Sequence, residues 1–64
     1  LTKMIERLPQ VQQEIVHLRF YEDLSFKEIA QVTNVSINTA LGRMRYATLN
    51  LRKMIEDFSL DLAV

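Results

Sequence analysis

The sequence predicts an all-α domain of four helices, and three observations predict it. Apolar residues recur at spacings of three and four along most of the chain, the period of helices that bury one face. Only one Gly and one Pro interrupt the 64 residues, so few positions break a helix. Ser25 and Ser36 stand where helices would begin, each offering a side-chain oxygen to amides that lack a partner there. Hydrophobic residues make up 48% of the chain, too many for a disordered segment. A domain this short buries only roughly 60% of its unfolded surface, so its stability is modest.

The first helix spans Leu1–Leu8, with Met4, Ile5 and Leu8 as its apolar side. Pro9 suits the first position of the second helix, where no amide donor is missed. Leu8, Val11, Ile15 and Leu18 make its stripe, and Phe20 and Tyr21 close it. Tyr21–Leu24 links to the third helix, with Glu22 and Asp23 supplying turn chemistry. His17 reads as a partly exposed helix residue, since a lone His with no Cys cannot build a zinc site.

The third helix starts at Ser25. Glu28, three residues on, completes a capping box, in which each side chain satisfies a free amide. Phe26, Ile29, Ala30 and Thr33 form its apolar side. It stops near Asn34, the best residue after Gly for a left-handed turn. Val35 plugs the gap between helices and Ser36 caps the fourth. That helix is expected from Ile37 to about Asp57, with Ala40, Met44, Ala47, Leu51, Met54 and Phe58 as one buried seam. The tail Phe58–Val64, FSLDLAV, alternates but is too short for a strand. It either folds back on the core or docks on another chain.

Residues 25–46 are therefore two helices joined by a tight turn, the second capped and polar at its start. This is the helix-turn-helix pattern, whose second helix enters the DNA major groove. At about 100° per residue, the buried seam leaves Asn38, Gly42, Arg45, Tyr46 and Leu49 pointing outward. Leu41 and Arg52 lie at one margin of that face, Thr39 and Lys53 at the other, and Arg43 nearer the core. Asn and Arg are the side chains that pair with adenine and guanine edges. Gly42 costs the helix roughly 1 kcal/mol relative to Ala. It either lets the helix approach DNA or another chain closely, or is an ordinary surface position. Leu41 and Leu49 are either single exposed leucines or contacts for a thymine methyl or a protein.

Net charge is zero, with eight basic and eight acidic residues, which argues against nucleic acid. The charges are segregated, however. Arg43, Arg45, Arg52 and Lys53 fall in a stretch from Ser36 that holds no acid, so one surface is locally positive. No apolar run approaches the roughly 20 residues of a membrane span, and no signal peptide is visible. With no Cys, one His, no glycine-rich phosphate loop and no acidic cluster facing a base, an enzyme is not expected. No cofactor or metal is expected either.

Leu8-Pro9 opens the second helix and Leu18-Arg19 stands near its end. Leu24, Ser25, Glu28, Ile29 and Ala30 make an LS-x-x-EIA start, Val35, Ser36 and Thr39 follow at the turn, and Leu51-Arg52 closes the set. In these motifs residues 8–53 resemble region 4 of bacterial sigma factors of the extracytoplasmic-function group, within the sigma-70 family. The wording FYEDLSFKEIA and INTALGRMRYA looks most like the Bacteroidetes branch. The resemblance implies a winged-helix-like superfamily fold over residues 1–64 and a cytoplasmic domain that binds double-stranded promoter DNA at the −35 element. It implies docking on the RNA polymerase core through the β flap, sequestration by an anti-sigma factor, and no membrane contact. It also implies a region 2 upstream, and the chain, which does not begin with Met, is expected to be a fragment.

Carried onto this chain, the base-edge candidates are Asn38, Leu41, Gly42, Arg45 and Tyr46. Ser25, Lys27, Ser36, Thr39 and Arg43 are candidates for holding phosphate or bracing the turn. The chain departs from the family where Asn34 replaces the usual Gly, where Leu41 and Tyr46 replace basic residues, and where Gly42 replaces Ser. Fewer basic groups imply weaker binding to DNA by the isolated domain and a shallower salt slope. Two rival readings are a response-regulator output domain, which shares the S-x-K-E-I-A start but carries a VKTH-like recognition motif absent here, and a pure protein-interaction module.

Overall fold

Four helices follow in chain order: α1 (Thr2–Glu6), α2 (Gln10–Val16), α3 (Phe26–Thr33) and α4 (Ile37–Ala63), with α2 running on into one π-helical turn, His17–Tyr21. The computed structural model describes the backbone of residues 2–63 and the side chains of residues 3–59. The expected helix start at Leu1 and the tail's last residue, Val64, lie outside the described residues. No strand occurs among the described residues, so the all-α expectation holds. With 27 residues, α4 spans about 40 Å at 1.5 Å per residue, and it sets the long axis of a 45 × 19 × 16 Å body. Each of the other three helices packs on it.

The core is Leu8, Ile15 and Val16 from the first half of the chain, Ile29 and Ala30 from α3, and Ala40 and Ala47 from α4. Ala40 and Ala47 are fully buried. Their small size lets the crossing helices approach closely, which a larger residue would prevent.

Four expectations need correction. Pro9 is the residue before α2, in an extended conformation with ψ 152°, rather than its first turn. Its carbonyl accepts from the Gln12 and Gln13 amides at 2.9 and 3.0 Å and so starts the helix. Val11 is 46% exposed. The buried pair Ile15–Val16 turns a different side of α2 inward, and Gln12 sits at its centre. Gln12 accepts a 2.7 Å hydrogen bond from Asn50 Nδ2 across the α2–α4 contact. Phe58 is 54% exposed although the seam predicts burial; it borders Met4 and Arg7 at the α1 end of the body but is covered on one side only. Finally, α4 does not end near Asp57 but continues through Ala63. The sequence after Gly42 holds no Gly or Pro to stop it.

Local chemistry explains the links. Gln13 Nε2 donates to the carbonyls of Glu6 and Leu8 at 3.1 and 2.7 Å, satisfying groups left open after α1. In the π turn the Glu22 amide donates to His17 O at 3.1 Å and the Leu24 amide to Leu18 O at 3.0 Å. Asp23 then takes the left-handed conformation, φ 57°. Arg19 fastens this link to α3. Its Nη1 donates to Leu24 O at 3.3 Å, and its guanidinium lies 5.4 Å from the Phe26 ring centroid. His17 is exposed, stacked on Tyr21 at 5.5 Å.

The α3–α4 turn follows the sequence reading closely. Asn34 is left-handed, φ 56° and ψ 47°. The Val35 amide donates to Ala30 O at 3.0 Å and the Asn34 amide to Gln31 O at 3.3 Å, the paired bonds of a Schellman motif. Val35 is half-buried and packs against the core. Asn34→Ala is expected to destabilise the domain by about 1 kcal/mol, since a Cβ without a local polar partner is disfavoured there. Asn34→Gly is expected to raise stability by a few tenths of that. Urea midpoints of the two variants decide the order, and an alanine variant as stable as the parent would remove strain from the account.

Candidate nucleic-acid interface

The candidate surface is built by two caps. At α3, the Glu28 amide donates to Ser25 Oγ at 3.1 Å and the Ser25 amide to Glu28 Oε1 at 2.9 Å. The backbone bond from Ser25, reinforced by its hydroxyl, holds the Glu28 carboxyl below its ordinary range. A depressed folded-state pKa stabilises above the unfolded value, 4.5, and that stabilisation fades as pH falls through the folded-state value. The box also occupies the Ser25 amide with the domain's own anion. Both donors of Ser25 are thus turned toward Glu28, which leaves little for a phosphate. Lys27, in the same turn, is exposed.

At α4 the arrangement differs. Ser36 Oγ accepts from the Thr39 amide at 3.0 Å and donates to Thr39 Oγ1 at 3.0 Å. Thr39 thus braces the turn. No acid stands in the first turn of α4, so its N-terminal partial charge has no counterpart of the kind Glu28 supplies to α3.

From this start, the helical period sets the face. Asn38, Arg45 and Tyr46 are exposed, Tyr46 at 62%, and Leu41 is exposed at 44%. Gly42 and Arg43 are half-buried. A Cβ built on Gly42 would meet nothing within 4 Å. Ser36 and Thr39 are exposed beside them. Among the described residues, Arg19–Asp23 is the one Arg or Lys ion pair, and His17 lies 3.8 Å from Glu22. Arg43, Arg45, Arg52 and Lys53 are not neutralised by any described carboxylate. The structure brings Asn38, Leu41, Gly42, Arg45 and Tyr46 onto one surface, with Arg43 closer to the body.

A second surface was not assigned from sequence. Phe20 and Tyr21, carried outward on the π turn, are 70% and 62% exposed, and Ile55 on α4 is 47% exposed. With Ile5, Val16 and Leu51 they line an apolar groove of about 540 Å³, edged by Arg52 and Glu56. The signal available in the sequence was two adjacent aromatics at a helix end, more apolar area than a turn requires.

Comparison with known proteins adds a family. Residues 1–44 match the family described as "Sigma-70, region 4". Over 54 residues the chain is 37% identical to the RNA polymerase sigma factor SigV of Bacillus subtilis, covering 84% of this chain and 32% of that protein. The chain thus spans about a third of the length of this curated relative. No solved structure matches it.

Proposed function

The chain belongs to the sigma-70 region 4 family, the DNA-binding domain of RNA polymerase sigma factors, and from that premise we propose that it reads the −35 promoter element with the outward face of α4. The observation that carries this reading is the exposure of Asn38, Arg45 and Tyr46 together on a helix stretch without acids or ion-paired cations. Asn38 and Arg45 supply base-edge hydrogen bonds, while Ser36, Lys27 and Arg43 serve the phosphates. Ser25 is the weakest of the candidates, because Glu28 already holds its amide.

The apolar groove is proposed as the seat of the polymerase β flap. Its exposed aromatics beside a half-buried aliphatic floor suit an amphipathic helix laid lengthwise. The family is a non-catalytic class of transcription factor. A region 2 upstream, a cytoplasmic location and capture by an anti-sigma factor belong to the same proposal. No described helix is long and apolar enough to cross a membrane. The motif wording supports a place in the Bacteroidetes branch.

The flap assignment is tested by titrating a β-flap fragment against the chain and its Phe20→Asp/Ile55→Asp variant, with circular dichroism as a check on folding. A loss of at least about tenfold is expected, since aromatic and aliphatic anchors at an interface centre carry most binding energy. Unchanged affinity would remove the flap from the groove. Mobility shift with promoter DNA, run on the same variant, should be unaffected and so separates this surface from the reading helix.

A further inference from the structure

Gly42 stands in the second turn of α4, where the fold has no use for a missing side chain. A Cβ there meets nothing within 4 Å, and Ala is the better helix former. Whatever the gap accommodates lies outside the chain. Its neighbours one turn away along the helix are Asn38, Thr39, Arg45 and Tyr46, all exposed. Over Gly42 the helix backbone lies bare under open space, and we refer to this gap, with exposed Asn38, Arg45 and Tyr46 one turn away and Leu41 beside it, as the notch.

The chemistry of the notch selects its occupant. Amides and carbonyls in the middle of a helix are bonded to one another, so the floor offers neither donor nor acceptor. Tyr46 and Leu41 add apolar surface. Of the groups that line the major groove, only the thymine C5-methyl is apolar. Resting on the DNA reading above, we propose that the Gly42 notch is a specificity element that receives the methyl group of one thymine in the recognised element. Asn38 and Arg45 on either side then read the neighbouring base edges.

The test begins with duplexes selected by this chain from a randomised library at low salt. The best duplex is then prepared with each thymine replaced, one at a time, by deoxyuridine, which lacks only the methyl. Affinities are measured by fluorescence anisotropy for the parent chain and for Gly42→Ala. One replacement should weaken the parent about fourfold, the worth of one buried methyl. Gly42→Ala should bind the thymine duplex about tenfold more weakly, because an occupied site is overpacked, and should lose the thymine preference at that position. Its Tm should rise by about 4–8 °C, which excludes misfolding as the cause. Indifference of the parent to every deoxyuridine, or an unchanged deoxyuridine pattern in Gly42→Ala, overturns the notch and leaves the DNA reading standing. Failure of the parent to enrich any duplex overturns both.

Discussion

Ile29→Ala is expected to destabilise the domain by about 2–5 kcal/mol, the range for deleting a large aliphatic side chain from a filled core. Ile29 is 1% exposed and is the largest side chain that is fully buried. It lies on α3 and packs in one cluster with Ile15 and Val16 of α2 and with Ala40 and Ala47 of α4. Its loss therefore opens a cavity where the helices meet. A domain of 64 residues has a total stability of only about 3–10 kcal/mol at typical values per residue. Between about a fifth and all of that would go, and the unfolded fraction at 37 °C should rise. The control is on the same helix. Val32 is 64% exposed, and Val32→Ala should fall within about 0.5 kcal/mol of the parent. Urea denaturation followed by helical circular dichroism reads both. Equal midpoints for the two variants would mean that the core is centred elsewhere.

The contrast between these two positions shows what could be read in the sequence. Local chemistry was legible wherever one residue type has one structural use. The Ser25–Glu28 box, left-handed Asn34 and the Ser36 cap all formed at the expected positions. Each depends on side chains within a few residues of one another. Burial was legible along α4 as far as Met54, because a long regular helix keeps its faces in phase. It failed where the phase or the partner changed. The π turn at His17–Tyr21 inserts a residue into the helical count, and nothing in HLRFY announces it. Leu18 is only half-buried and Phe20 faces solvent as a result. Val11 was misread because Leu8 was counted as helical, although Pro9 ends that phase. Phe58 keeps the seam's period but finds only Met4 and Arg7 beside it, too little to bury it. The Gln12–Asn50 bond was out of reach altogether, since it joins residues 38 apart in the chain and each reads locally as a surface polar residue. The exposed face of α4 was legible for the same reason as its buried one, being its complement. The apolar groove was not, because it needs the π turn.

Arg45→Ala is expected to weaken binding to the recognised duplex by about 1–3 kcal/mol and to relax preference at a single base pair, the signature of a bidentate guanine contact. Arg43→Ala should behave differently. Arg43 is half-buried and set closer to the body, whereas Arg45 is exposed near the middle of the outward face. The position of Arg43 suits a phosphate, so its loss should weaken all sequences alike and flatten the dependence of log affinity on log salt by about one unit. Neither change should disturb the fold, since neither guanidinium has an ion-pair partner among the described residues, and midpoints should stay within about 0.5 kcal/mol of the parent. Selection from randomised duplexes reports the base preference, and titrations at several salt concentrations report the slope. Uniform loss in Arg45→Ala would reassign it to phosphate, and no loss at all would make it a solvated helix charge. The background for both measurements is weak. The chain carries no net charge and has Leu41 and Tyr46 among the outward residues of α4, so few phosphates are neutralised and little counterion is released. Affinity of the isolated chain should therefore be micromolar at best near physiological salt; under the proposed function, tethering by polymerase would supply the remainder. A nanomolar complex of the isolated chain under those conditions would show that base contacts, not tethering, carry the binding.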